Sequence, residues 1–307
     1  MLDLKGIIPA TVLPMTPTGE IDEPELKKYV RWIASQGIKA VAVNVDTGEG
    51  PHLWQEEKLR VLRIYREELT GKQIPIVAGL GASFTAQAVK YGKEYLEAGA
   101  DCLLVFPITA YLGQPLPAEI PYRYHKAVAD EVGLPMILFT LQPALGGTNF
   151  ADETLARLSE IPQVVAIKEA LFDAKRFREI VNVVRAAGRP ITVLTGNDNF
   201  IWESYLLGAE GALLGACATC TGAHVEVHAA AMRGDWATAR EKGDRIQKLV
   251  DVIFAAPVRD YRARSKEVLV IQGILKHAHM RPPLLPVGAE DCQALKRALE
   301  EAGQLGA

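Results

Sequence analysis

Short aliphatic runs recur roughly every 25 to 35 residues along this chain, and an amphipathic stretch follows each of them. The runs cover 6–15, 40–46, 75–81, 102–107, 136–141, 164–170, 191–196 and 211–217. Each is short and apolar almost throughout, the pattern of a strand buried on both faces. The segments between them carry the helical period. Over about 23–36, Leu26, Val30 and Ile33 share one face, with Glu25, Lys27 and Lys28 off it. Asp22 followed by Glu25 has the spacing of a capping box for that helix. Further helices are expected over about 53–69, 85–98, 118–132, from 152, and over 173–187, 200–207 and 223–233. Eight such units close into a (β/α)8 TIM barrel spanning residues 1–233. A doubly wound open sheet is the alternative, but no Gly-x-Gly-x-x-Gly turn follows the first run. Residues 234–307 are expected to form helices over about 236–254, 261–278 and 290–302. With no linker before them, they are a C-terminal helical extension of the same domain.

The sixth run ends on a lysine: Val164-Val165-Ala166-Ile167-Lys168-Glu169-Ala170. A strand side chain stands perpendicular to its sheet, so this lysine has little room to snorkel. Desolvation disfavours the ammonium and makes a free amine available near neutral pH, which is the nucleophile of Schiff-base chemistry. Taken alone, the segment is read first as a lysine that emerges into solvent beside Glu169. In a barrel of this kind the site lies at the C-terminal ends of the strands. Those ends carry Thr11, Asp46-Thr47-Gly48-Glu49, Tyr111, Phe139-Thr140, Lys168, Gly196-Asn197-Asp198 and Leu213 to Cys217. That company turns the balance toward a lysine in an apolar mouth beside hydroxyls and a carboxylate.

These motifs, in this order, resemble the dihydrodipicolinate synthase / N-acetylneuraminate lyase family of class I aldolases and lyases, over about residues 6–235. Gly6-Ile7-Ile8-Pro9-Ala10 opens the chain as in that family. Asp46-Thr47-Gly48-Glu49 is similar to its Gly-Thr-Thr-Gly-Glu carboxylate-binding loop, Val165 to Ala170 to its imine-forming strand, and Leu194-Thr195-Gly196-Asn197-Asp198 to its Ser-Gly-Asp-Asp turn. The resemblance implies that Lys168 attacks the ketone of a small 2-oxo acid, pyruvate or a relative of it. The protonated imine then serves as an electron sink. It also implies a substrate carboxylate held on Thr47 and Gly48, with Glu49, Phe139, Gly196, Asp198 and Leu213 around the substrate. No cofactor is needed beyond the covalent imine, and a homo-oligomer, tetramer or dimer, is implied.

Four positions depart from the family pattern. Its fifth strand ends in Tyr-Asn-x-Pro, whose phenol shuttles protons; here Phe139 stands in that place and has no hydroxyl. Ala144 occupies the position of a pocket-mouth arginine found in the family's synthases. Asp46 replaces the first threonine of the proton relay, and Val45 a glycine. So read, the pocket loses a cation and gains a carboxylate beside Glu49, a poor setting for the lysine-pathway synthase reaction. Asp46 is either a replacement acid–base group, a ligand for a substrate hydroxyl or amine, or a carboxylate bonded to its own loop. Tyr111 lies in a segment, 107–115, that differs from the family's Pro-Tyr-Tyr-Asn. It either joins a neighbouring subunit's relay or packs at an interface.

The expected function is thus a Schiff-base lyase or aldolase with an altered acid–base set. The alternative is a non-catalytic or regulatory family member that binds a small ligand. The net charge of −3, with Lys and Arg dispersed, gives no field for nucleic acid. No run approaches the ~18 apolar residues of a membrane span, and the N-terminus lacks the layout of a signal peptide. Four cysteines in 307 residues do not make a disulfide framework, so a cytoplasmic setting is expected. No metal is expected either. Cys217 and Cys220 lack a second pair, and His224 and His228 lack a third ligand.

Overall fold

The computed structural model describes residues 2–305. Eight parallel strands form one sheet: β1 (Ile7–Pro9), β2 (Val41–Val43), β3 (Ile76–Leu80), β4 (Cys102–Val105), β5 (Met136–Leu141), β6 (Val164–Ala170), β7 (Thr192–Thr195) and β8 (Gly211–Leu214). From β2 to β8 each strand is hydrogen-bonded to the next in the chain, and β8 pairs with β1. The seam between β1 and β2 is closed by the bridge Ala10–Ala42, with the Thr11 amide donating to the Ala42 carbonyl at 3.0 Å. The expected (β/α)8 barrel is the fold.

Eight helices alternate with the strands: α1 (Glu23–Ala34), α2 (Gln55–Glu68), α3 (Thr85–Glu97), α4 (Glu119–Val132), α5 (Asp152–Ser159), α6 (Ala174–Ala186), α7 (Ile201–Leu207) and α8 (Thr221–Met232). Asp22 caps α1 by accepting from the Glu25 amide at 3.2 Å. The second half of the expected capping box is missing, because the Glu25 carboxylate is taken by the amide and ammonium of Lys276. Three more helices follow, α9 (Trp236–Ile253), α10 (Tyr261–Ile271) and α11 (Ala289–Glu301). The second of these is shorter than expected, ending before Gly273, which takes the left-handed conformation at φ +72°.

Inside the barrel, alternate residues meet: Ile8 and Ala10, Ala40 and Ala42, Leu104, Ile137, Phe139, Ala166, Leu194 and Leu213. A register irregularity between Met136 and Ile137 leaves Val165 unpaired, and beyond it Ile137 pairs with Ala166 and Phe139 with Lys168. Because side-chain direction alternates along a strand, this bulge decides which face Lys168 takes. A second core joins Ile7 of β1 and Ala212 and Leu214 of β8 to Ile246, Leu249, Tyr261, Val268, Leu295 and Leu299. The C-terminal helices therefore share apolar packing with the barrel, and α10 begins at its C-terminal mouth.

Candidate active site

A cavity of about 350 Å³ opens at the C-terminal ends of the strands and contains Lys168 in its wall. That volume suits a small ligand. The lysine stem crosses close to β7. A Cβ on Gly196 would stand 2.7 Å from Lys168 Cε and 2.8 Å from Ala170 Cβ, so only glycine leaves the stem its space. The ammonium lies over the Phe139 ring, 4.4 Å from its centroid. Phe139 is held edge-on by Phe106 at 5.1 Å. Burial draws the Lys168 amine down to about 8, against a weaker upward pull from the Asp198 and Asp46 carboxylates, neither of which hydrogen-bonds it. Near neutral pH a useful fraction is therefore free amine.

Asp198 lines the same cavity and is itself buried. One of its oxygens accepts the Ala216 amide at 3.0 Å, and burial raises its carboxyl to about 6. On the neighbouring strand position, Glu169 points away from the cavity. It accepts from Leu171 N at 3.0 Å and from Asn197 Nδ2 at 2.6 Å, and Asn197 Oδ1 in turn accepts the Phe172 amide at 2.7 Å. This network ties the turn after β6 to the turn after β7 and fixes Phe172, another cavity residue, at φ +59°.

Opposite, Asp46 is held by α10. The Tyr261 hydroxyl donates to Asp46 Oδ2 at 2.7 Å, Arg262 Nη2 pairs with Oδ1, and Arg262 Nε donates to the Asp46 carbonyl at 2.9 Å. Thr47 Oγ1 sits 3.3 Å from Tyr261 Oη. Arg259 and Arg262 both line the cavity.

A profile of the Dihydrodipicolinate synthetase family matches residues 3–302. Among curated relatives, a 4-hydroxy-tetrahydrodipicolinate synthase of Thermodesulfovibrio yellowstonii is 31% identical over 299 residues, 97% of this chain and 98% of its own. The Pseudomonas aeruginosa protein of that name is 32% identical over 305 residues, covering 98% and 99%. The chloride-inhibited dihydrodipicolinate synthase of Acinetobacter baumannii, solved with pyruvate, superposes with a TM-score of 0.86 at 31% identity, covering 98% and 99%. A monomeric dihydrodipicolinate synthase variant superposes with a TM-score of 0.90 at 26% identity, covering 98% and 97%. The chain belongs to the Dihydrodipicolinate synthetase family.

Against the family expectations, the structure brings Lys168, Asp46, Thr47, Phe139, Gly196 and Asp198 around one cavity. Four expected residues lie elsewhere. Glu49, fully buried in the left-handed region at φ +56°, turns into an ion pair with Lys266 and accepts the Arg281 amide at 3.1 Å. Its carboxylate is thus engaged within the fold and does not line the cavity. Gly48 backs onto Thr11, whose carbonyl oxygen would stand 2.8 Å from an added Cβ, so this glycine allows a close approach behind the loop. Leu213 is fully buried among the inward residues of the barrel, away from the cavity wall. Tyr111 does not reach outward. It is 1% exposed, edge-on to Tyr124 and Phe150 at 6.0 and 5.8 Å, and packed in the layer between barrel and helices. Its hydroxyl has no hydrogen-bond partner among the described residues, and burial pushes the phenol up.

Of the carboxylate charge expected at the mouth, Asp46 is paired with Arg262 from the far end of the chain and Glu49 with Lys266. Arg259, also on the cavity wall, pairs with Asp260. Sequence reading missed Tyr261, Arg262 and Lys266. One signal was available: the first half of α10, Tyr261-Arg-Ala-Arg-Ser-Lys266, offers no apolar face although its second half is aliphatic. Polar side chains on a helix that must pack signal partners elsewhere.

His224 and Cys217 are buried, with the histidine held neutral by desolvation, near 4. Among the described residues, no group of three His, Cys, Asp or Glu side chains is placed to hold a metal, and no helix is long and apolar enough to cross a membrane.

Proposed function

We propose that this protein is a Schiff-base lyase of the class I aldolase type, acting on a small 2-oxo acid through an imine on Lys168 and needing no cofactor. The observation that carries the reading is the desolvated Lys168 amine over Phe139, with no ion-pair partner among the described residues, in the cavity at the barrel mouth. A desolvated lysine without an ion-pair partner among the described residues is costly to keep, which favours catalysis over a regulatory binding role. The substrate carboxylate would sit at the Thr47 hydroxyl beside the turn after β2, and the rest of the molecule toward Phe172, Arg259 and the mouth. The curated relatives carry the synthase name, and the Acinetobacter baumannii protein was solved with pyruvate, a 2-oxo acid. With Asp46 paired to Arg262 and Glu49 to Lys266, the uncompensated carboxylate charge that argued against the synthase reaction is gone, while Phe139 remains the departure to be explained.

The experiment is borohydride trapping with a panel of 2-oxo acids, pyruvate first, followed by peptide mass mapping. A reduced adduct confined to Lys168 supports the proposal. No adduct with any member of the panel, or one on another lysine, overturns it. We further propose a homo-oligomer assembled through the loops after the strands, where Trp54, Phe84, Leu112 and Leu145 are exposed. Sedimentation as a monomer at micromolar concentration would reject that assembly. All four cysteines are free thiols, in keeping with the reducing cytoplasm we propose as its setting.

A further inference from the structure

We propose that Tyr261, at the start of α10, supplies the phenol that Phe139 cannot, acting on the substrate oxygen as a proton relay with Asp46 behind it. The inference rests on the Schiff-base reading above and names the acid–base group that reading lacks. Only two of the side chains lining the cavity among the described residues bear a hydroxyl, Thr47 and Tyr261, and they touch at 3.3 Å. The phenol donates to Asp46 Oδ2 at 2.7 Å and accepts from the Thr47 hydroxyl, which leaves one lone pair of its oxygen free to accept. Asp46 cannot swing into the cavity as an independent base, because Arg262 holds its other oxygen and its carbonyl. The phenol is equally fixed. Its ring stacks on Phe254 at 4.8 Å and 17°, and a Cβ on Gly215 would crowd both Tyr261 Cε2 and Thr47 Oγ1 at 3.3 Å.

This arrangement moves protons without a free phenolate. In C–C cleavage, the hydroxyl proton of the imine adduct passes to Tyr261 Oη as the phenol proton passes to Asp46. The O–H electron pair becomes the new carbonyl π bond, and the C–C pair flows into the iminium, giving the enamine. In imine formation the direction reverses. Lys168 attacks as the free amine: the carbinolamine oxygen takes one proton from the nitrogen and one from Tyr261, restored from solvent water through Asp46, and departs as water, while the iminium nitrogen keeps one proton. Atoms and charge balance with one proton drawn from solvent at the cavity mouth. Burial and the Asp46 carboxylate both push the Tyr261 phenol up, so a relay that passes a proton through it is favoured over one that ionises it.

The rival group is Asp198, on the β7 side of the cavity with one oxygen unengaged by the Ala216 amide. The test measures the rate and the final yield of borohydride-trapped pyruvate adduct in the wild type, Tyr261→Phe, Asp46→Asn, their double variant and Asp198→Asn. Tyr261→Phe should form the adduct about 10² to 10⁴ times more slowly, the usual worth of a positioned acid–base group, and reach the same final yield. Asp46→Asn should slow it similarly, and the double variant no further, since the two act as one unit. A fall in yield as well as rate in both single variants, with lost thermal stability, would assign them a structural role and overturn the relay. So would wild-type rates in Tyr261→Phe, or a slow Asp198→Asn beside a fast Tyr261→Phe. Those outcomes leave the Schiff-base reading standing. A wild type that traps no 2-oxo acid overturns both.

Discussion

Lys168 and Lys266 are both withdrawn from bulk water, and they differ in what faces them. Lys266 is fully buried on α10 and meets Glu49 in an ion pair, with a further bond to the His279 carbonyl at 2.7 Å. Lys168, on β6, meets an aromatic ring and an open cavity, with its nearest carboxylates acting only at a distance. Desolvation is common to both, so desolvation alone does not make a nucleophile. A matched anion turns a buried ammonium into a clasp, and the absence of one leaves the amine available. The Lys266–Glu49 clasp joins the C-terminal helices to the loop after β2, and so holds Asp46 and Thr47 where Lys168 needs them.

The largest effect expected from this contrast is on turnover. Lys168→Ala should abolish the borohydride adduct and lower activity by on the order of 10⁶, the scale of removing a covalent nucleophile, while the circular dichroism spectrum and Tm stay close to wild type. Residual activity within 10-fold of wild type would make the two lysines equivalent and end the distinction.

The next effect falls on stability. Lys266→Met strands the Glu49 carboxylate in the core, at a cost of about 3–5 kcal/mol, read as a lowered urea midpoint. Whatever fraction remains folded should still trap pyruvate on Lys168. Adding Glu49→Gln should recover much of the loss, because the uncompensated charge is gone. If Lys266→Met kept full stability but lost the adduct, Lys266 would belong to the chemistry and not to the clasp.

The same contrast explains what could be read from the chain. The barrel was legible because its strands are near-continuous aliphatic runs at regular spacing, and Lys168 because it interrupts one of them at the catalytic end. Phe139 and Gly196 followed from position on the neighbouring strands. Tyr261, Arg262 and Lys266 were not legible, since their partners lie more than two hundred residues away, with separations of 215, 216 and 217 along the chain. No local period encodes a contact across that distance. Tyr111 failed for the opposite reason. Its loop position suggested an outward side chain, but the chain turns back after β4 and packs the ring against Tyr124 and Phe150.

A smaller effect distinguishes the two faces of β6, where Lys168 points inward and Glu169 outward. Burial raises the Glu169 carboxyl to about 7 against the pull of the Asn197 and Leu171 donors. Between its ordinary value near 4.5 and about 7, the folded protein therefore binds more protons than the unfolded chain. By linkage, stability falls as pH rises through that window, by at most about 3 kcal/mol at ~1.4 kcal/mol per unit. Glu169→Gln removes the titration, so the slope of stability against pH from 4.5 to 7 should flatten, on a baseline lowered by about 1 kcal/mol for one mismatched hydrogen bond. An unchanged slope would assign that pH dependence to other groups.

The smallest effect concerns the ring that Lys168 has in place of an anion. With the amine near 8, imine formation with pyruvate should rise about tenfold per pH unit below that value and level off above it. The face of Phe139 favours the ammonium through its quadrupole, by about 0.5–1 kcal/mol for a contact of this kind. Phe139→Leu keeps the apolar wall and removes the quadrupole. The midpoint of the pH profile should then fall by about half a unit, since the charged form loses its one close attraction while desolvation persists. The plateau rate should change little if Tyr261 carries the proton traffic. A midpoint that rises would mean the ring acts mainly by excluding water, and that Leu lets water in. In that case Phe139 would be a desolvating wall, and the carboxylates of Asp198 and Asp46 would be the only groups that favour the charged amine.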